Sequence, residues 1–137
     1  MNSIEFRREL HRHPELSFEE YRTQRYILDA LRAEGIECRE IATTGVLAKI
    51  EGERGNLRRC VVLRADIDAL PIEEQNDVEY CSENQGVMHA CGHDMHAAVL
   101  FGVLQEFARN RDFEGTLFGI FQPGEELNPG GAIKVLE

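Results

Sequence analysis

Apolar positions along the chain alternate between a helical and an extended period, and the switches mark out its elements. A short helix is predicted from Ser3 to about His11, broken by Pro14. Ser17-Phe18-Glu19-Glu20 has the pattern of a capping box, in which Ser17 would bond the Glu20 backbone while Glu20 reaches back. The helix it opens should run to about Ala33, with Tyr21, Leu28 and Leu31 on one face and Gly35 as its stop. Glu37 to Ile41 and Val46 to Ile50 read as short strands with the turn at Gly45. The β-branched run Cys60 to Ala65 predicts a buried strand. It empties into a polar stretch from Asp66 to Gly86, long enough to be functional or mobile. Helical spacing returns from Met95 to about Arg109, with His96, Val99, Leu100, Val103, Leu104 and Phe107 on one stripe. Thr116 to Gln122 reads as another buried strand, and Pro129-Gly130-Gly131-Ala132 opens a last helix.

Strands alternating with helices predict an α/β fold, a layered sheet flanked by helices. With 137 residues and no internal repeat or linker, one domain is expected. The last helix is cut short at Glu137, so a fragment of a longer chain is also expected. The formal net charge of -10 argues against nucleic acid or an anionic membrane as partner, because both repel such a surface. No apolar run approaches the ~20 residues of a membrane span. The N-terminus lacks the apolar stretch of a signal peptide, and the protein reads as cytoplasmic. Cys38, Cys60, Cys81 and Cys91 form neither a CxxC pair nor a dense framework. The first three should behave as small apolar residues; Cys91 stands among histidines.

Chemistry concentrates in three loops, Asp66 to Pro71, His89 to His96 and Gln122 to Leu127, each following a predicted strand or opening a predicted helix. Active loops of α/β sheets gather beyond the carboxyl ends of the strands. The middle loop, His89-Ala90-Cys91-Gly92-His93-Asp94-Met95-His96, holds thiolate and imidazole donors of the kind zinc and similar first-row metals prefer. Gly92 lets Cys91 and His93 face one ion. A cluster of chance residues at a helix start is the alternative. Glu125 and Glu126 follow a buried strand and a proline, where adjacent like charges need a reason. Either they form a solvated acidic turn, or one binds metal while the other accepts a proton from water. Asp66 and Asp68 could ligate metal, orient an imidazole ligand, or belong to a plain Asp-rich turn.

Four motifs then carry a resemblance. They are Arg8-Glu9-Leu10-His11-Arg12-His13-Pro14-Glu15-Leu16-Ser17, Leu63-Arg64-Ala65-Asp66-Ile67-Asp68-Ala69-Leu70-Pro71, the His89–His96 loop, and Gln122-Pro123-Gly124-Glu125-Glu126 with Gly130-Gly131-Ala132. In this order they resemble metallopeptidase family M20, in particular its amidohydrolase branch of aminoacylase-like, hippurate and auxin-conjugate hydrolases. The resemblance implies the N-terminal part of a zinc-peptidase-like catalytic domain over residues 1–137, without the lid or dimerisation domain and the C-terminal part. It implies Cys91, His93 and Glu126 as metal ligands, Glu125 as the general base, and Asp68 as the residue that orients a ligand. Two further histidine ligands would lie downstream. Gly124 stands where the branch more often has alanine, a change expected to leave the loop intact.

The function so implied is metal-dependent hydrolysis of the amide bond of a small N-acyl amino acid, in a parent that is a homodimer. One or two divalent ions are expected, zinc or manganese first, with cobalt or nickel also compatible with the donors. The alternatives are a dipeptidase or aminopeptidase of the same family and a catalytically inert metal-binding fragment. The truncated chain alone is expected to be inactive.

Overall fold

A computed structural model describes all 137 residues, Met1–Glu137. The elements are α1 (Ser3–Arg12), α2 (Tyr21–Ala33), β1 (Glu37–Ile41), β2 (Gly45–Glu51), β3 (Cys60–Asp66), α3 (His93–Arg109), β4 (Thr116–Gln122) and α4 (Gly131–Leu136). The strands form one mixed sheet in the order β1-β2-β4-β3. β1 pairs antiparallel to β2 and β2 antiparallel to β4, whereas β3 and β4 run parallel from Cys60↔Thr116 to Asp66↔Gln122. That parallel register sets the functional geometry. It delivers the chain after Asp66 and the chain after Gln122 to the same sheet edge, side by side. The start of β2 lies there too, with Val46 opposite Phe121.

The core fills one face of the sheet. Val46, Ala48 and Ile50 of β2 and Leu117 and Phe121 of β4 meet Phe6 and Leu10 of α1, Ile27 and Leu31 of α2, and Phe101 and Leu104 of α3. Phe6 and Phe101 stack with ring centroids 4.3 Å apart, joining α1 to α3. Gly119 lets α3 close on β4: a Cβ there would stand 2.7 Å from Leu104 Cδ1.

Several expectations from the sequence change. Ser17 does not cap α2, which begins at Tyr21 with Glu20 in the N-cap position and no side-chain cap. Ser17 instead donates to Asp68 Oδ2 at 2.6 Å, a tertiary bond that local pattern cannot reveal. Tyr21 is exposed; Ile27, Leu28, Ala30 and Leu31 form the buried face of α2. β3 is an edge strand, so Val61 and Val62 are more than half exposed despite their apolar run. Cys60 on that edge is exposed rather than packed. The buried stripe of α3 is Ala97, Leu100, Phe101 and Leu104, and Val99 and His96 face outward. The turn between β1 and β2 is made by Ala42 and Thr43 at positive φ, and Gly45 already belongs to β2. The long polar connection after β3 is strapped down. Leu70 and Met88 exchange backbone hydrogen bonds at 3.0 Å, Ala69 N–H donates to Glu15 O, and Glu83 N–H donates to Arg12 O.

Candidate metal centre

Gly92 adopts φ +92 as the N-cap of α3, a left-handed geometry that glycine takes without Cβ strain. The bend places Cys91 just before the helix and His93 at its first turn. Glu126 arrives from the loop after β4. Ligand atoms of Cys91, His93 and Glu126 all lie within 4.8 Å of one another. Two donors each about 2.0–2.3 Å from a shared zinc stand up to roughly 4.6 Å apart, so a small loop adjustment suffices for all three to share an ion. Glu126 Oε1 is buried without a hydrogen-bond partner, as expected of an acceptor aimed into a cation site. The donor set therefore fits a divalent metal.

The geometry fixes the chemistry of His93. Its Nδ1 stands 3.0 Å from both the carbonyl and Oδ1 of Asp68. Both are acceptors, so Nδ1 carries a proton towards them and Nε2 is left as the free donor atom. Around Nε2 stand Asp66 Oδ2 at 3.6 Å and Glu125 Oε2 and Glu126 Oε1 at 3.7 Å each. Burial opposes a charge on His93, but Asp68, Asp66 and Glu126 outweigh it and raise its pKa. The neighbouring Glu126 carboxylate likewise raises the Cys91 thiol, with Glu125 and Asp66 adding to it.

Asp68 ties the three loops together. Its Oδ1 holds His93, while Oδ2 accepts from Ser17 Oγ at 2.6 Å and from the Glu126 amide at 2.9 Å. Burial pushes its carboxyl up, yet the bonds from His93, Glu126 and Ser17 together prevail and hold it at about 2. Asp66 orients a different imidazole, accepting from His96 Nδ1 at 2.7 Å. Asp66, His93 and His96 also cluster closely enough to suggest a cation site. That trio and the first one exclude each other, because His93 Nδ1 is committed to Asp68 and only Nε2 is free.

Glu125, the expected base, stands beside the trio with its side chain 42% exposed. Gly124 has φ +61, and a Cβ there would come within 2.6 Å of Phe18 Cε2. In this chain an alanine would not leave the loop as it is.

Sequence reasoning missed the underside of the site. His11 is buried, its Nδ1 2.9 Å from Asp94 Oδ2 and its Nε2 2.9 Å from Glu74 Oε1, and Arg7 reaches the same Asp94 oxygen. Asp94 follows His93 directly, so α1 grips the metal loop from beneath. The hydrogen bond to Asp94 leads the effects that raise the His11 pKa. His89, also buried, has no partner for either ring nitrogen, and desolvation lowers it to about 4. Arg7 and His11 fall on one face of α1 at i, i+4 spacing, the one local signal of this strap.

Carboxylate, imidazole and thiol donors converging beyond the carboxyl ends of two parallel strands define a zinc-peptidase-like α/β catalytic fold. The chain belongs to Peptidase family M20/M25/M40, which residues 62–137 match. It is 45% identical over 136 residues to an N-acyl-L-amino acid amidohydrolase of Geobacillus stearothermophilus, covering 98% of this chain and 36% of the relative. An N-acetyldiaminopimelate deacetylase of Halalkalibacterium halodurans is 46% identical, with 98% and 36% covered. The crystal structure of the Bacillus subtilis YXEP protein, described as a dinuclear metal binding peptidase, superposes with a TM-score of 0.92 at 44% identity. That match covers 98% of this chain and 38% of the other. The chain thus spans about a third of the length of these relatives. No helix is long and apolar enough to cross a membrane.

Proposed function

We propose that residues 1–137 form the N-terminal part of the catalytic domain of a metal-dependent amidohydrolase acting on small N-acyl amino acids. One observation carries the reading: Cys91, His93 and Glu126 share one point, and Glu125 stands next to it uncommitted. A closed structural zinc site has no use for a free carboxylate at its rim. A divalent ion held there, zinc or manganese first, would polarise an amide carbonyl and make water more acidic. Cys91 Sγ, His93 Nε2 and Glu126 would hold the ion, and Asp68 keeps the His93 tautomer that such binding would require. Glu125 accepts a proton from the attacking water and passes it to the leaving amine. The relatives named for N-acyl and N-acetyl substrates support the acyl-amide class. The parent is proposed to be a cytoplasmic homodimer.

The test uses the parent polypeptide loaded with zinc or manganese and assayed on N-acetyl and N-benzoyl amino acids. Glu125→Gln should keep its metal and lose about two to four orders of magnitude in turnover. Near-normal turnover removes Glu125 from the reaction, and loss of metal means that its role and that of Glu126 are exchanged. The 137 residues alone should show no turnover and hold metal more weakly than the parent, because their loops lack part of the surrounding shell.

A further inference from the structure

Glu20 is completely buried and forms no salt bridge with a Lys, Arg or His side chain. Its position is the N-cap of α2, where a carboxylate ordinarily accepts from the first amides of its own helix. It makes no such bond. Instead Oε1 accepts from the Gly124 amide at 2.8 Å, across 104 residues of sequence, and Oε2 accepts from Thr44 Oγ1 at 2.6 Å. Thr44, equally buried, sits in the turn before β2, which Gln24 fixes by donating to Thr43 O and Gly45 O. Burying an acid without a cation is costly, and leaving a helix start uncapped adds to that cost. Both are tolerated where a local conflict serves a site.

The loop that Glu20 reaches bears Glu125 and Glu126. Two of its amides are held from below, Gly124 by Glu20 and Glu126 by Asp68, and Glu125 lies between them. Gly131 N–H closes the loop from the other side by donating to Gly124 O at 2.9 Å. The Phe18 ring lies against Gly124. We propose that Glu20 is a positioning residue, whose buried carboxylate sets where the Glu125 and Glu126 side chains stand relative to Cys91 and His93. The proposal rests on the metal-site reading above. It adds that the segment Ser17–Glu20 acts as a saddle under the carboxylate loop rather than as the start of a helix.

The neutral variant Glu20→Gln can reproduce both bonds, its carbonyl accepting from Gly124 and its amide donating to Thr44 Oγ1. Glu20→Leu fills similar space and can accept nothing. Amide hydrogen exchange is measured on the 137-residue chain, and Co²⁺ titration, followed by the thiolate–Co²⁺ absorption of Cys91, on the parent polypeptide. In Glu20→Leu, the Gly124 amide should exchange at least about tenfold faster while core amides of β2 and β4 do not. Co²⁺ affinity should fall about 10- to 100-fold, the usual effect of losing outer support for a ligand. Glu20→Gln should restore both. Unchanged Gly124 exchange and Co²⁺ affinity in Glu20→Leu overturns the proposal. So does uniform acceleration of every amide, which marks a residue that only stabilises the core. Should Glu20→Leu not fold, Glu20→Asp is read by the same two outcomes, since its shorter carboxylate cannot reach both Gly124 and Thr44. A wild-type parent polypeptide that takes up no Co²⁺ defeats the metal reading alone, and the exchange comparison still judges Glu20.

Discussion

Replacing Asp68 with asparagine tests the centre at the point where its loops meet. The two side chains have nearly the same volume, so packing changes little and the effect is electrostatic. A carboxyl held at about 2 instead of its ordinary 3.8 stabilises the fold by about 2.5 kcal/mol, at about 1.4 kcal/mol per pH unit. Because the folded value is depressed, this contribution is complete above the unfolded value and is lost as pH falls towards 2. Asparagine adds a mismatch. Asp68 accepts on both oxygens, from His93 on one side and from Ser17 and Glu126 on the other. An amide turned either way presents a donor to a donor, which costs about 1–3 kcal/mol when buried.

Urea unfolding of metal-free wild type and Asp68→Asn should therefore differ by about 3.5–5.5 kcal/mol near pH 6, the two effects together. The charge part should shrink to a few tenths of a kcal/mol by about pH 2. Other carboxylates titrate in both proteins and cancel in the difference. Parallel stability curves across this range would refute the argument that Asp68 is held ionised by its three donors. A second measurement separates structure from site. With asparagine donating to Nδ1, His93 is driven to the tautomer that carries its proton on Nε2, and Co²⁺ affinity should fall about 10- to 100-fold.

Gly124→Ala should cost about 1–3 kcal/mol of stability, from a positive φ and the Phe18 ring. Thermal melts of Gly124→Ala with and without Phe18→Ala should then show coupling, because the smaller side chain removes the clash but not the φ strain. His11→Gln should destabilise the metal-free chain by about 3 kcal/mol near pH 6 by leaving Asp94 and Glu74 less well paired. A raised histidine pKa gives stability that is full below 6.5 and lost as pH rises through the folded value, whereas the lowered Asp94 and Glu74 lose theirs as pH falls. The gap between wild type and His11→Gln should accordingly narrow in alkaline solution, and a constant gap in urea titrations from about pH 6 to 9 counts against a charged His11.

Much of the candidate centre was legible because its possible donors come in short clusters along the chain. Cys91, Gly92 and His93 declare themselves by residue type and spacing, and Glu125-Glu126 by two charges after an apolar strand. The α/β order of elements was legible from period alone. Illegible was everything decided by partners far along the chain. The apolar run of β3 reads as a buried strand, yet its place at the sheet edge exposes Val61 and Val62. The i, i+3 spacing of Ser17 and Glu20 satisfies the capping pattern, yet each side chain finds a better-placed partner across the fold, Asp68 and Gly124. His11 looks like a last-turn residue of a short helix, and only the packing of α1 against α3 and against the connection after β3 gives it two carboxylates.

These long-range bonds explain how four carboxylates can gather around one histidine before any ion arrives. Asp66, Asp68, Glu125 and Glu126 all approach His93, an arrangement that repulsion would scatter on free loops. Asp68 lies under donors from three segments, and Asp66 is held by His96 and Arg64. The Glu125-Glu126 loop is tied at Gly124 by Glu20 and at Glu126 by Asp68. The field that remains raises the pKa of both His93 and Cys91, so a cation would compete with protons for the same donors. That competition would make the affinity for a divalent ion increase with pH. The same crowding that discourages an empty, ionised centre is therefore what would draw a cation into it, and the buried ties keep the donors close enough to receive one.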